Sequence, residues 1–203
     1  MTHSFIHSLK KDRKIISNSN NLMMVKMNSK QLRKVAETDG AVHANDVERQ
    51  QVVLILENIY DTYNIGGLFR LSDALAVSKV YLCGETETPP NNRIHKASCG
   101  TYKVVPWEYC ETGAEAIEKF RKSTIGQKSM VVAIEQSPNS KIYTEIKPIM
   151  PLALVLGNES LGVTKETLDK CDEIAEIPMW GINKSLNVII SAGIVAYHYV
   201  VNK

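Results

Sequence analysis

Three short polar clusters hold the side chains of this sequence that could do chemistry. They run from Asn64 to Arg70, from Gly157 to Gly162 and from Ile177 to Asn187. Each contains glycine and lies next to an apolar segment, and α/β proteins build their sites where strands end and helices begin. A guanidinium binds phosphate in a bidentate geometry, and glycine lets a ligand approach the backbone closely. The clusters therefore indicate a ligand site, in which Arg70 is suited to phosphate recognition.

Each cluster also has an ordinary structural interpretation when it is taken alone. Asn158 is typical of a strand-to-helix turn, in which Glu159 would be solvated. Ser185 is typical of a helix N-cap, and Arg70 of a surface or ion-paired arginine. Asn187 is more informative, since it falls in the first turn of an apolar helix, where its amide can face a ligand. A single cluster does not decide between a site and a scaffold.

An alternating order of strands and helices must position these clusters. Residues 51–56 are a continuous aliphatic run, which predicts a strand covered on both faces. Thr112 followed by Glu115 predicts a helix start. The remaining pattern predicts strands at residues 78–83, 130–135, 152–156 and 174–178, and helices that begin near Ile65, Thr164 and Ser185. We expect an α/β fold with a mostly parallel sheet and helices on both faces.

Two further segments carry expectations of their own. Residues 84–100 are polar and contain Pro89-Pro90, so they are predicted to be a long loop. The apolar C-terminal stretch, residues 186–201, is interrupted by Ser191 and Gly193, so it is predicted to be a buried helix and not a membrane span.

The charge of the chain is unevenly distributed. The first 34 residues contain eight basic residues and one acidic residue, so they carry +7 while the remainder carries −5. A basic segment attracts phosphate, although a solvated tail is an alternative. We expect a flexible basic arm over residues 1–27, a helical segment over residues 28–50 with Ser29 as a helix cap, and one domain over residues 51–203.

The cysteines and the N-terminus bear on the cellular compartment. Cys83, Cys99, Cys110 and Cys171 form no C-x-x-C pair and have no histidine at zinc-ligand spacing, which predicts reduced thiols and no metal site. No apolar core of a signal peptide is visible near the start. We expect a cytoplasmic protein.

Taken in order, the three clusters resemble the sequence motifs of the SpoU/TrmH branch of the SPOUT superfamily. The resemblance covers the chain from about Val52 onward. It implies a SPOUT-type α/β fold with a C-terminal trefoil knot, a homodimer, and S-adenosylmethionine-dependent 2′-O-ribose methylation of RNA. No G-x-G-x-x-G follows a strand, so a Rossmann-type methyltransferase or dehydrogenase is unsupported.

The resemblance also implies roles for individual residues. Backbone-rich contacts to S-adenosylmethionine would come from Gly157, Ile177 and Leu186, with Leu156, Asn158 and Met179 nearby. The catalytic neighbourhood would contain Asn64, Arg70, Glu159, Ser185 and Asn187. Lys96 and Ser98 resemble residues of a substrate-side segment and would contact RNA, unless residues 91–100 are an ordinary solvated loop.

The implied reaction is attack of a ribose 2′-oxygen on the methyl group of a sulfonium. The family assigns removal of the hydroxyl proton to the motif arginine, here Arg70. Because arginine stays protonated in proteins, the alternative is that Arg70 holds the phosphate and stabilises the developing alkoxide.

We expect tRNA as a substrate rather than rRNA, because ribosomal members often carry a larger N-terminal RNA-binding domain. A non-catalytic RNA-binding relative and a knotted base methyltransferase remain alternatives.

Overall fold

A parallel β-sheet forms the centre of the computed structural model, which describes residues 26–35 and 47–202. These residues form seven strands in the order β3-β2-β1-β6-β4-β7-β5, and every neighbouring pair is parallel. The strands are β1 Gln50–Glu57, β2 Val77–Cys83, β3 Trp107–Cys110, β4 Met130–Ile134, β5 Lys141–Ile142, β6 Leu152–Leu156 and β7 Glu173–Glu176. The helices are α1 Ser29–Lys34, α2 Thr62–Ala74, α3 Asn92–Ser98, α4 Gly113–Ser123, α5 Lys165–Leu168 and α6 Val188–Val201.

The central strand β1 shows why the helices lie on both faces. Val52, Leu54 and Leu56 point to one side, where they join a core formed with α2, α3 and α6. Val53 and Ile55 point to the other side and join a core formed with α4. Because alternate residues of a strand face opposite sides, a continuous aliphatic run needs both faces covered. The predicted α/β class with a parallel sheet and helices on both faces is confirmed.

A buried carboxylate fixes the carboxyl end of β1. Glu57 is 2% exposed. Its Oε1 accepts hydrogen bonds from the Gly113 N–H at 3.1 Å, the Thr164 hydroxyl at 3.1 Å and the Thr167 hydroxyl at 2.6 Å. Its Oε2 accepts from the Thr164 N–H at 2.9 Å. Since Gly113 begins α4 and Thr164 caps α5, one side chain holds the starts of two helices against the sheet.

Most predicted strands lie within a residue or two of their observed bounds, but the loop predicted over residues 84–100 is wrong. Its second half is helix α3, which Asn91 caps by accepting from Arg93 N at 2.8 Å and Ile94 N at 3.3 Å. Ile94 is fully buried in the core. One buried apolar residue in a polar segment gives no visible hydrophobic periodicity, so the helix was missed, as were the short strands β3 and β5.

The predicted ends of two helices also differ from the structure. Helix α6 begins at Val188 with Asn187 as its N-cap, so the interpretation of Ser185 as the cap is wrong. Helix α1 is capped by Asn28 and not by Ser29, in a capping box with Gln31. The prediction that the C-terminal helix is buried holds for one face only, because Ile190, Tyr197 and Val201 are exposed.

The remaining expectations concern the termini, the cysteines and the membrane. The described residues include Lys26 and Met27 of the expected basic arm, and residues 28–35 and 47–50 of the expected helical segment.

All four cysteines are free thiols. Burial raises the pKa of Cys83 and of Cys110, and it raises the pKa of Cys171 to about 12. Within residues 26–35 and 47–202 we find no helix with the length and apolar character of a membrane span.

The Glu57 contacts predict that replacing this side chain by glutamine, which has a similar volume, causes a large loss of stability. In Glu57→Gln, either orientation of the amide turns its NH2 toward an N–H or hydroxyl donor. We expect the free energy of unfolding to fall by about 2–4 kcal/mol, measured by urea denaturation. Glu87→Gln, at an exposed position, is the control and should change it by less than about 0.5 kcal/mol. Equal stability of the two variants would contradict the anchoring role of Glu57.

Candidate active site

One chain of hydrogen bonds links side chains from all three polar clusters. The Asn64 amide donates from Nδ2 to Glu159 Oε1 at 2.6 Å. The Asn187 amide donates from Nδ2 to Asn64 Oδ1 at 2.9 Å. These residues are 95 and 123 positions from Asn64 in the sequence, so only the fold brings them together.

The start of α2 positions the central member of this chain. Asp61 caps the helix by accepting from Tyr63 N at 2.8 Å. Asn64 then falls in the first turn and is 6% exposed. A buried amide needs partners for both its oxygen and its NH2 group, and Asn187 and Glu159 supply them. The two bonds fix which way the Asn64 amide faces.

The loop after β6 is shaped by its own backbone. A Cβ on Gly157 would lie 2.3 Å from both the Gly162 carbonyl carbon and the Val163 nitrogen, so only glycine fits. Asn158 and Gly162 close the loop with a pair of backbone hydrogen bonds of 3.1 and 2.8 Å. The expected close approach to Gly157 is therefore made by the loop itself.

The Asn158 side chain is occupied by this loop. Its Oδ1 accepts from Ser160 N at 2.8 Å and from Leu161 N at 2.9 Å. Its Nδ2 donates to the Asn58 carbonyl at 2.9 Å, which joins the loop to the end of β1. Asn158 is buried, and its amide orders the loop that presents Glu159.

Two residues after β4 that the sequence analysis missed hold the neighbouring loops. Glu135 accepts from Val163 N at 3.0 Å and from Gln136 N at 2.8 Å. Gln136 donates from Nε2 to the Lys184 carbonyl at 2.8 Å, so it fixes the segment that precedes α6. Polar residues directly after a predicted parallel strand were the available signal, since such residues lie at the carboxyl edge of the sheet.

The segment between β7 and α6 presents free backbone groups. In the described part of the chain, the backbone of residues 179–182 has no hydrogen-bond partner. Ile177 is half-buried and packs on the core, while Met179 is half-buried and Leu186 is 36% exposed. Apolar side chains beside unpaired amides and carbonyls are what a small organic ligand needs.

The other predicted site residues differ in how accessible they are. Arg70 is exposed on α2 and forms no hydrogen bond or ion pair with the described residues. Ser185 is exposed and donates its backbone N–H to Asn183 Oδ1 at 3.3 Å. Leu156 is buried in the core, so its side chain is not available to a ligand.

The segment predicted to contact RNA is the C-terminal part of α3. Lys96 is exposed, as a phosphate contact requires. Ser98 is fully buried, and its hydroxyl lies between the His95 carbonyl and the Gly100 N–H. The Ser98 hydroxyl thus closes the turn that ends α3, and the RNA contacts expected of Lys96 and Ser98 stay predictions.

The hydrogen-bond chain consists of two amides and one carboxylate, and Arg70 lies further along the helix that carries Asn64. Among the described residues, no group of three or more His, Cys, Asp or Glu side chains is arranged to hold a metal ion.

The model of the SpoU rRNA Methylase family matches residues 51–197, which include all three clusters. The chain belongs to the SpoU methylase family. The resemblance found in the sequence is confirmed.

Relatives of this SpoU family chain extend the comparison. The 23S rRNA (guanosine-2′-O-)-methyltransferase RlmB of Neisseria meningitidis is 30% identical over 158 residues, which are 76% of this chain and 61% of RlmB. The TrmH/SpoU tRNA modifying enzyme of A. aeolicus has a TM-score of 0.68 at 25% identity, over 86% of this chain and 81% of its own. The AdoMet-bound rRNA methyltransferase of Sinorhizobium meliloti has a TM-score of 0.66 at 27% identity, over 77% and 59%. The chain spans about three fifths of the length of the curated relatives it matches.

The crowding at Gly157 predicts that a single methyl group disturbs this SpoU site. Gly157→Ala forces the Gly162–Val163 backbone to move, and we expect the free energy of unfolding to fall by about 1–3 kcal/mol in urea denaturation. Gly181→Ala is the matched control, since a Cβ there meets nothing within 4 Å. A Gly157→Ala variant as stable as Gly181→Ala would show that the loop adapts freely.

Proposed function

We propose that this protein is an S-adenosylmethionine-dependent RNA 2′-O-ribose methyltransferase. The observation that carries the proposal is the hydrogen-bond chain from Glu159 through Asn64 to Asn187, which joins the three family motifs in space. The name of RlmB, a guanosine-2′-O-methyltransferase, supports ribose rather than base chemistry.

The segment after β7 fits S-adenosylmethionine. A nucleoside with an amino-acid tail needs apolar walls for its base and backbone donors and acceptors for its polar groups. Residues 179–182 offer unpaired backbone groups, and Ile177, Met179 and Leu186 offer apolar surface. Gly157 and Asn158 would keep the adjacent loop in place, as their contacts indicate. When bound, S-adenosylmethionine supplies an electrophilic methyl group on a sulfonium.

Arg70 acts on the RNA side of the reaction. Its guanidinium has no partner among the described residues, so it is available to a phosphate of the target nucleotide. A guanidinium stays protonated, so we assign Arg70 to phosphate binding and to stabilisation of the developing alkoxide. We assign Asn64, Asn187 and Ser185 to the ribose side of the site, where the amides of Asn64 and Asn187 are held in place by their mutual hydrogen bond.

The proposed substrate is tRNA rather than rRNA. Support comes from the likeness to the A. aeolicus tRNA modifying enzyme, which has a TM-score of 0.68 at 25% identity. A tRNA substrate would place the enzyme in the cytoplasm.

Transfer of labelled methyl groups from S-adenosylmethionine tests this function. The full chain is incubated with bulk tRNA and, separately, with rRNA, and the RNA is digested to nucleosides. A 2′-O-methylated nucleoside from tRNA is the expected product. A methylated base would assign the protein to base chemistry, and cofactor binding without transfer to either pool would contradict the proposed activity.

Arg70→Ala should separate chemistry from cofactor binding. Loss of the phosphate contact and of the charge on the alkoxide should lower kcat/KM for RNA by at least about 100-fold. The affinity for S-adenosylmethionine, measured by calorimetry, should stay within about twofold, because the cofactor segment does not include α2. Arg70→Lys keeps the charge and should recover part of the loss if electrostatics dominates. Turnover of Arg70→Ala near that of wild type would remove Arg70 from the mechanism.

We also propose that the protein is a homodimer and that its chain end forms the trefoil knot expected for the family. Support for the dimer is the apolar exposed face of α6, where Ile190, Tyr197 and Val201 are 52%, 46% and 72% exposed. Large apolar patches of this kind are typical of interaction surfaces. The Gln136–Lys184 hydrogen bond, which holds the segment before α6 against the end of β4, supports the knot.

The dimer is tested by placing charge on this face. Ile190→Arg combined with Tyr197→Arg should convert a dimer to a monomer in sedimentation velocity, because buried unpaired charges oppose association. Ile125→Arg is the control, since Ile125 is 79% exposed and lies after α4 on the other face of the sheet. A dimer that survives the double change would place the interface elsewhere.

A further inference from the structure

Helices α1 and α3 and the turn after α3 form a positively charged surface. This surface lies outside the hydrogen-bond chain of the candidate active site. Residues 26–35 and residues 91–106 contain no aspartate or glutamate. The structure packs these segments together, although about 60 residues separate them in the sequence. We name the result the basic surface, and its members are Lys30, Arg33, Lys34, Arg93, Lys96 and Lys103.

Specific contacts hold α1 in this position. A Cβ on Gly100 would lie 2.9 Å from the Leu32 carbonyl, so glycine is needed for the helix to approach. Lys103 donates from Nζ to the Val35 carbonyl at 2.5 Å and to the Arg33 carbonyl at 3.4 Å, which satisfies the C-terminal end of α1. Arg33 Nη2 lies 3.4 Å from Cys99 Sγ. These contacts fix a short basic helix that could not be stable alone.

Within residues 26–35 and 47–202, no carboxylate neutralises the cations of the basic surface. The described residues form seven ion pairs, and none of them includes a member of this surface. The Asp73 carboxylate interacts electrostatically with Arg49 and Lys26, neither of which is a member of this surface. By contrast, an open cleft of about 470 Å³ beside β2 and β3 is lined by Glu85 and Glu87, which repel phosphate.

The basic surface is continuous with the candidate active site through α2. Gly66 of α2 packs on Ala97 and Ser98 of α3, with its Cβ position 2.4 Å from the Ala97 Cβ. Arg70 lies one helical turn further along the same side of α2 and has no described partner. The positive charges therefore extend from Arg70 across α3 to α1.

We propose that the basic surface binds the phosphate backbone of the RNA substrate outside the target nucleotide, with docked α1 as its outer part. Lys30 and Lys34 are exposed and contact phosphates, while Lys103 keeps α1 in place. Contacts of this kind set affinity and orientation without reading sequence. The proposal rests on the proposed function only in taking RNA as the ligand.

Binding of labelled tRNA to the full chain, without S-adenosylmethionine and over a range of salt concentrations, tests this surface. The double variant Lys30→Gln, Lys34→Gln should bind about tenfold more weakly at low salt. The slope of log affinity against log salt should fall by about 1 for each lysine that contacts a phosphate. Lys122→Gln, Lys128→Gln removes the same charge at the end of α4 and just after it, and should have little effect.

The outcomes separate this inference from the proposed activity. An equal loss of RNA affinity in both double variants would show that only the net charge of the protein matters. Unchanged RNA binding by the Lys30→Gln, Lys34→Gln variant would show that α1 does not contact the RNA. Either result overturns the inference. If wild-type protein binds tRNA through Lys30 and Lys34 yet transfers no methyl group, the surface stands and the proposed activity fails. If methyl transfer occurs, the α1 variant should raise KM for tRNA while kcat stays within about twofold.

Discussion

The buried carboxylate of Glu57 is the interaction on which the rest of the site depends. It accepts four hydrogen bonds and forms no ion pair with a described residue, so the donors themselves compensate its burial. Those donors include the first N–H group of α4 and the capping residue of α5. The Thr164 contact also fixes the end of the loop that starts at Gly157. A single side chain at the end of β1 therefore couples the sheet, two helices and the loop that carries Glu159.

From this anchor, the parallel sheet explains why the three clusters meet. β1 and β6 are neighbours, so the residues that follow them emerge at the same edge. Asn158 ties the loop after β6 to the Asn58 carbonyl after β1, and Glu135 ties it to the end of β4. Asn64 then needs only the first turn of α2 to reach Glu159. The amide chain follows from strand order and short connections.

The sequence predicted the parts of this structure that rest on regular patterns. The aliphatic runs of β1, β4 and β6 and the capping residue Thr112 each carry a local signal, so their elements were found. Helix α3 was not found, because Ile94 is its one buried apolar residue and an Asn91 cap adds no hydrophobic periodicity. Ser185 and Asn187 are both good cap residues, and only tertiary contact selected Asn187. In the site, Asn64, Glu159 and Asn187 were selected by their motifs, whereas Glu57 and Glu135 lie at the ends of aliphatic runs and gain their roles from distant amides. The roles expected for the site residues stay predictions.

Carboxylates and cations are used in different ways in this fold, and that difference shapes its electrostatic field. Glu57 and Glu135 direct their oxygens at backbone N–H groups, and Glu159 accepts from an amide. Glu108, Glu115 and Glu173 neutralise lysines on other parts of the sheet. Arg70, Lys30 and Lys34 have no carboxylate partner among the described residues. A chain of net charge +2 can thus present a positive side, because these carboxylates bond to backbone groups, amides or lysines elsewhere in the described structure. A polyanion would be attracted to that side and oriented toward Arg70 before any specific contact forms.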